Sequence, residues 1–145
     1  MNLHVNDRVG YQGVDYRVED VLTYAMTEGS LRLFRLEAAG AFRFLELPTS
    51  DADDRVLVLE EITGLDITAP PPVAIYQRGE SFLLKLSGAA KVTGAGDDTK
   101  TCTLWRYRAA GGKVLQIEQW PDGVRMFAGA SVHADMLEVR PAKDT

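Results

Sequence analysis

The 145-residue chain holds one cysteine and two histidines, and its 16 Lys and Arg residues are outnumbered by 21 Asp and Glu. Each shortage excludes something. A single thiol, Cys102, builds neither an intramolecular disulfide framework nor a cysteine-rich zinc site. The net charge of −5 opposes the phosphate neutralisation on which nucleic-acid binding rests, so no nucleic-acid partner is expected. No apolar run approaches the roughly 20 residues that span a bilayer. The opening Met1-Asn2-Leu3-His4-Val5-Asn6-Asp7 is polar, unlike a basic-then-apolar leader. Membrane insertion and secretion are therefore not expected, and the cytoplasm is the expected compartment.

Chemical motifs are also sparse. The glycines include no Gly-Lys-Ser or Gly-Lys-Thr and none precedes a predicted helix, which leaves no phosphate-cradling loop. His4 and His133 lack a serine, cysteine or aspartate arrangement that would pair a nucleophile with a base. The same two histidines with Asp135 form a weak alternative for a metal, and exposed surface groups are the simpler reading. Asp51, Asp53 and Asp54 precede Arg55-Val56 where a calcium loop would continue with glycine, so these charges read as a solvated loop. No catalytic residue, no metal and no cofactor is assigned.

What the sequence has is alternation. With 46% hydrophobic residues, apolar and polar positions alternate in short runs bounded by Gly, Asp and Asn, the period of strands. Strands are expected at residues 8–11, 14–18, 21–26, 31–36, 42–45 and 55–62. A second series follows at 73–76, 81–86, 89–93, 101–108, 113–119, 124–128 and 136–139. Ala69-Pro70-Pro71-Pro72 must be extended and joins two halves. Residues 94–100 read as the most mobile loop, and any helix is expected to be short and near residues 130–135.

The halves resemble each other, which redefines the folding unit. Tyr11-Gln12-Gly13 matches Tyr76-Gln77-Arg78-Gly79, Leu33-Phe34-Arg35-Leu36 matches Leu104-Trp105-Arg106-Tyr107, and Phe44-Leu45-Glu46 matches Gln116-Ile117-Glu118. The spacing grows from 65 residues (Tyr11 to Tyr76) to 71 (Leu33 to Leu104) and 72 (Glu46 to Glu118), which places an insertion in the 94–100 loop. The expected fold is all-β: one domain of two related antiparallel β units, about 3–68 and 73–141. Together they form a twisted sandwich or partly open barrel with little helix.

Leu104-Trp105-Arg106-Tyr107, Gly111-Gly112, Leu115 to Trp120 and Gly129 together are similar to the domain of unknown function 4178 family. That family's pattern has a Trp-x-Tyr strand, a Gly turn, a strand ending in Glu-x-Trp, then a Gly and a final strand. Asn6-Asp7-Arg8-Val9 resembles its opening Gly-Asp-x-Val hairpin, with Asn6 in place of glycine and with Phe34 and Phe44 where tryptophans are expected. The resemblance implies an uncharacterised bacterial protein and carries no catalytic residue.

Six residues stand out as candidates for binding. Trp105, Tyr107 and Trp120 with Arg106 are types enriched at interface hot spots. The alternative puts Trp105 and Tyr107 on a core face, with Arg106 and Arg108 on the opposite face and Trp120 as the exposed member. Glu46 and Glu118 occupy equivalent positions, where facing carboxylates would perturb each other; the simpler reading has each on a polar face or bonded to Arg35 or Arg106. The leading expectation is a non-enzymatic protein-interaction or scaffold module, and the alternative is a small-ligand binder or small enzyme with a cleft between the units. Open strand edges favour a protein partner or a homodimer.

Overall fold

In a computed structural model, describing residues 2–48, 54–63, 67–94, 96 and 98–142, the strand periodicity becomes eleven antiparallel strands. These are β1 (Arg8–Tyr11), β2 (Val14–Met26), β3 (Gly29–Ala38), β4 (Ala41–Glu46), β5 (Arg55–Ile62), β6 (Ala74–Gln77), β7 (Glu80–Thr93), β8 (Thr99–Arg108), β9 (Lys113–Trp120), β10 (Gly123–His133) and β11 (Leu137–Arg140). The expected loop acids Asp51 and Asp53 lie outside the described residues, as do most of the 49–54 loop and Asp97 of the expected 94–100 loop. No helix among the described residues is long and apolar enough to cross a membrane.

The sheet order is β11-β1-β2-β3-β4-β5-β10-β9-β8-β7-β6, and β2 also pairs with β7 through Thr23–Thr93, Tyr24–Val92 and Ala25–Lys91. Strands β2 to β5 and β7 to β10 therefore close into a ring, while β1 with β11 and β6 extend from it. The chain is all-β, but the sheet is a ring with two flaps, not a clean barrel. Each half runs through the same order of hairpins, β1 to β5 and then β6 to β10, and the halves meet antiparallel at β5–β10 and at β2–β7.

Two expected strand breaks are absent. Residues 14–18 and 21–26 form one strand, β2, whose register shifts between Val18 and Asp20; residues 81–86 and 89–93 form β7, which shifts between Leu84 and Leu86. A bulge adds one residue to one strand, so the side-chain alternation changes face without the strand ending. Tyr16 and Val18 accordingly pack with Phe34, Leu36 and Leu45 in one outer core, whereas Leu22 and Tyr24 join Leu33, Cys102 and Leu104 inside the ring. In the second half Phe82 and Leu84 pack with Trp105, Tyr107 and Ile117, while Leu86, Ala90 and Val92 turn inward. Each long strand thus serves two cores, the one under its own flap and the one in the ring.

The expected helix near residues 130–135 is mostly strand. Residues of β10 pair with β5 as far as His133 opposite Arg55, and only Ala134–Met136 forms a 3-10 turn. The turn residues also realign the halves. Gln12 and Gly13 (φ 51° and 78°) correspond to Arg78 and Gly79 (φ 51° and 76°), both in the left-handed geometry of a two-residue hairpin turn. Tyr11 therefore stands at the place of Gln77, and Tyr76 at the place of Gly10.

The ends of the chain are tied at Asp7. Its carboxylate accepts the His4 N–H at 2.9 Å and the Ala142 N–H at 2.9 Å, just beyond β11. The Ala142 N–H holds this carboxyl below its ordinary 3.8, against the cost of burial and with help from His4. A lowered folded-state value gives stability that is present above the unfolded value and lost as pH falls through the folded one. The protection of β11 amides, relative to their intrinsic exchange at each pH, is therefore expected to fall before that of the ring strands as pH drops below 3.8. Asp7→Ala should produce the same selective loss at neutral pH. Equal protection of β11 at neutral and acid pH would contradict this role.

Candidate functional site

Four strands contribute to a polar cluster in the ring interior. Arg106 on β8 places Nη1 3.0 Å and Nη2 2.8 Å from the two carboxylate oxygens of Glu46 on β4, a bidentate pair across the ring. Its Nε donates to Gln116 Oε1 on β9 at 2.9 Å, and Nη2 reaches the same oxygen. Gln116 Nε2 donates to Glu118 Oε2 at 2.7 Å, and Tyr24 on β2 donates its hydroxyl to that oxygen at 2.9 Å. The Trp120 indole N–H donates to Glu118 Oε1 at 2.9 Å. Arg106, Gln116 and Glu118 are all buried.

Glu46 and Glu118, equivalent in sequence, thus belong to one network, but they do not face each other as a carboxylate pair. Arg106 and Gln116 stand between them. When the halves are aligned by their hairpins, Phe44 stands where Gln116 does, and Arg35, aligned with Arg106, lies 4.5 Å from the Phe42 ring centroid. Arg35 Nε is the only buried side-chain nitrogen or oxygen without a hydrogen-bond partner among the described residues.

The chemistry open to this cluster is narrow. Glu118 accepts three donors and Arg106 spends its fork on Glu46 and Gln116, so the hydrogen-bonding groups are committed to one another. Such a network fixes how the two halves seat against each other, because every partner must be in register for the buried groups to be satisfied. Burial, and then the charge of Glu118, push the Tyr24 hydroxyl far above its ordinary range. The same two causes push the Cys102 thiol up to about 12, which keeps it protonated and unreactive at neutral pH.

The other residues singled out by sequence have structural surroundings. Trp105 and Tyr107 are in the outer core of the second half, with Tyr107 donating to Pro72 O at 2.7 Å; burial raises its hydroxyl pKa. Neither lies on an exposed recognition surface. Arg106 points inward instead of covering a solvent face; Arg108 is exposed, and Trp120 is only half-buried. His4 and His133 are both exposed, beside Asp7 and Asp54 respectively, and Asp135 is not the carboxylate paired with His133. No group of three or more His, Cys, Asp or Glu side chains suited to a metal ion occurs among the described residues. A groove of 510 Å³ beside the β2–β3 turn is lined by Met26, Leu31, Leu86 and Gly88, with Glu28 its single ionisable group.

An uncovered surface lies at the other end of the sheet order, where β6 is the last strand. Tyr76 is 77% exposed, Val73 73% and Leu83 49%. In the β6–β7 register Ala74 is opposite Leu83 and Tyr76 opposite Ser81, so Ala74, Tyr76 and Leu83 share a face. The corresponding residues of the first half, Gly10, Asp15 and Arg17 with Arg8, are largely charged, and β11 covers the β1 edge. Arg140 donates to Asp15 at 2.7 Å across that covered edge. Sequence reading missed Tyr76 and Leu83 because the absence of charge from Val73 to Gln77 signals exposure only once the position of β11 is known.

No curated protein and no solved structure matches the chain. A family model does, over residues 4–134, from before β1 to the 3-10 turn that precedes β11. The chain with the Glu46–Arg106–Gln116–Glu118 network and the open β6 edge therefore belongs to the family described as Domain of unknown function (DUF4178).

Proposed function

We propose that this protein is a non-catalytic protein-interaction module whose docking element is the β6–β7 hairpin, and that its partner supplies an extended strand. One observation carries the reading: the β6 edge and its Tyr76–Leu83 face are uncovered, while the corresponding β1 edge is covered by a strand. An edge strand presents unpaired N–H and C=O groups to another chain, and natural edges are commonly blunted by charge, proline or a bulge within the strand. Residues 74–77, Ala-Ile-Tyr-Gln, have none of these. Main-chain bonds would supply the pairing, and exposed apolar side chains would supply affinity. The internal network supports this reading from the other direction, since its carboxylates and arginine are already engaged within the chain. The repeated order of hairpins is consistent with a duplicated unit in which the second copy kept its edge open.

Site-specific photo-crosslinking in the cells that make the protein tests the reading. A photoreactive residue at position 76 is expected to give discrete protein crosslinks identifiable by mass. The same residue at Val124, 40% exposed on a different strand, should not. Equal crosslinking from both positions, or none from 76, would overturn the proposal.

A further inference from the structure

The backbone register shows which groups of β6 face outward. Leu84 N–H donates to Val73 O at 2.8 Å, and in an antiparallel ladder hydrogen-bonded pairs alternate. Val73, Ile75 and Gln77 therefore direct their main-chain groups toward β7, while those of Ala74 and Tyr76 point to the open edge. The first half has the same arrangement. Val18 N–H donates to Asp7 O at 2.8 Å, so Arg8 and Gly10 face outward, and β11 pairs with them through Arg140 and Glu138.

β11 is thus a template for whatever adds to β6. It places Val139 opposite Val9 and Leu137 opposite Tyr11, and both enter or pack against the outer core. The sites equivalent to Val9 and Tyr11 are Ile75 and Gln77. A strand docking there needs an apolar residue opposite each, two positions apart, in antiparallel sense. The segment Val73-Ala74-Ile75 meets that requirement.

Resting on the interaction-module reading, we propose that the strand added to β6 is β6 of a second copy, paired antiparallel about a two-fold axis at Ile75. In this register Ile75 meets Ile75 of the other copy, as Val9 meets Val139, and Val73 of the second copy falls opposite Gln77, as Leu137 falls opposite Tyr11. Ala74 and Tyr76 pair with Tyr76 and Ala74 of the second copy, so all four outward main-chain groups on each edge are used. The register also keeps like faces together. Tyr76 of one copy lies over the small Ala74 of the other, next to Leu83, and is covered without displacing a larger side chain. No charged residue occurs from Val73 to Gln77, so the juxtaposition opposes no like charges.

Sedimentation of the full chain, from low micromolar to near-millimolar concentration, tests the assignment with two variants. Ala74→Pro removes an outward N–H that β7 does not use. Tyr76→Lys alters a side chain that is exposed in the monomer and places two like charges at diagonal positions across the dimer. The wild type is expected to form a dimer, and each variant, with an unchanged circular dichroism spectrum, to associate at least about tenfold more weakly. If Ala74→Pro does not fold, Tyr76→Lys decides alone. A wild type that stays monomeric throughout would overturn the second-copy assignment, as would a dimer insensitive to Tyr76→Lys. Crosslinks from position 76 to a different protein would in either case leave the interaction-module reading standing, whereas no crosslinks at all would remove that as well.

Discussion

Gly129→Ala is expected to leave little folded protein. A Cβ at this position of β10 would lie 1.8 Å from Val58 O, 2.8 Å from Val58 C and 2.9 Å from Leu59 Cα. All three atoms are backbone of β5, so no side chain can rotate away to relieve the overlap. The β5–β10 ladder is one of two seams between the halves, with Gly129 opposite Leu59. Separating the strands there would give up hydrogen bonds and the packing of Leu57, Leu59 and Phe127. The expected loss exceeds about 4 kcal/mol, the range reserved for severe backbone or core damage. Urea denaturation monitored by Trp105 and Trp120 fluorescence measures it. A variant within about 1 kcal/mol of wild type would mean that the strands do not approach this closely.

The second large effect concerns Arg106. Arg106→Leu would leave Glu46 and Gln116 without their shared donor in the ring interior, and removing one partner of a buried ion pair costs about 3–5 kcal/mol. Replacing both partners, as Arg106→Leu with Glu46→Leu, should recover much of that loss, because the pair's own desolvation is then avoided. A double-mutant cycle in urea separates the coupling from the individual effects. Strong coupling with recovery in the double variant identifies the pair as a seam between the halves. Single substitutions that cost less than about 1 kcal/mol would return Glu46 and Arg106 to consideration as groups free to bind a ligand.

Why these residues were only partly legible follows from the ring. Alternation revealed nearly every strand, but it presumes one wet face. On β8 both faces are covered: Trp105 and Tyr107 enter the outer core, and Arg106 enters the ring. An arginine between two aromatics then reads as a solvent-facing residue although it is buried. Glu46 and Glu118 were recognisable as a pair from the likeness of the two halves in sequence. Tyr24, 94 residues from Glu118, carried no local signal for its hydrogen bond. The bulges of β2 and β7 hid in the same way, since a single inserted residue reverses the periodicity and imitates a chain break. Residues 130–133 became strand through pairing with β5, a tertiary constraint that outweighs local preference.

The open edge is the feature from which the functional account follows, and its amides report on it directly. Arg8 and Gly10 face β11 within the same chain, whereas Ala74 and Tyr76 face outward from β6. Amide hydrogen exchange across a concentration series therefore contains its own control. Arg8 and Gly10 are expected to be protected at every concentration, and Ala74 and Tyr76 to become protected only as the protein associates. Ala74 and Tyr76 amides that exchange equally fast in dilute and concentrated protein would contradict the pairing of β6 with a second copy.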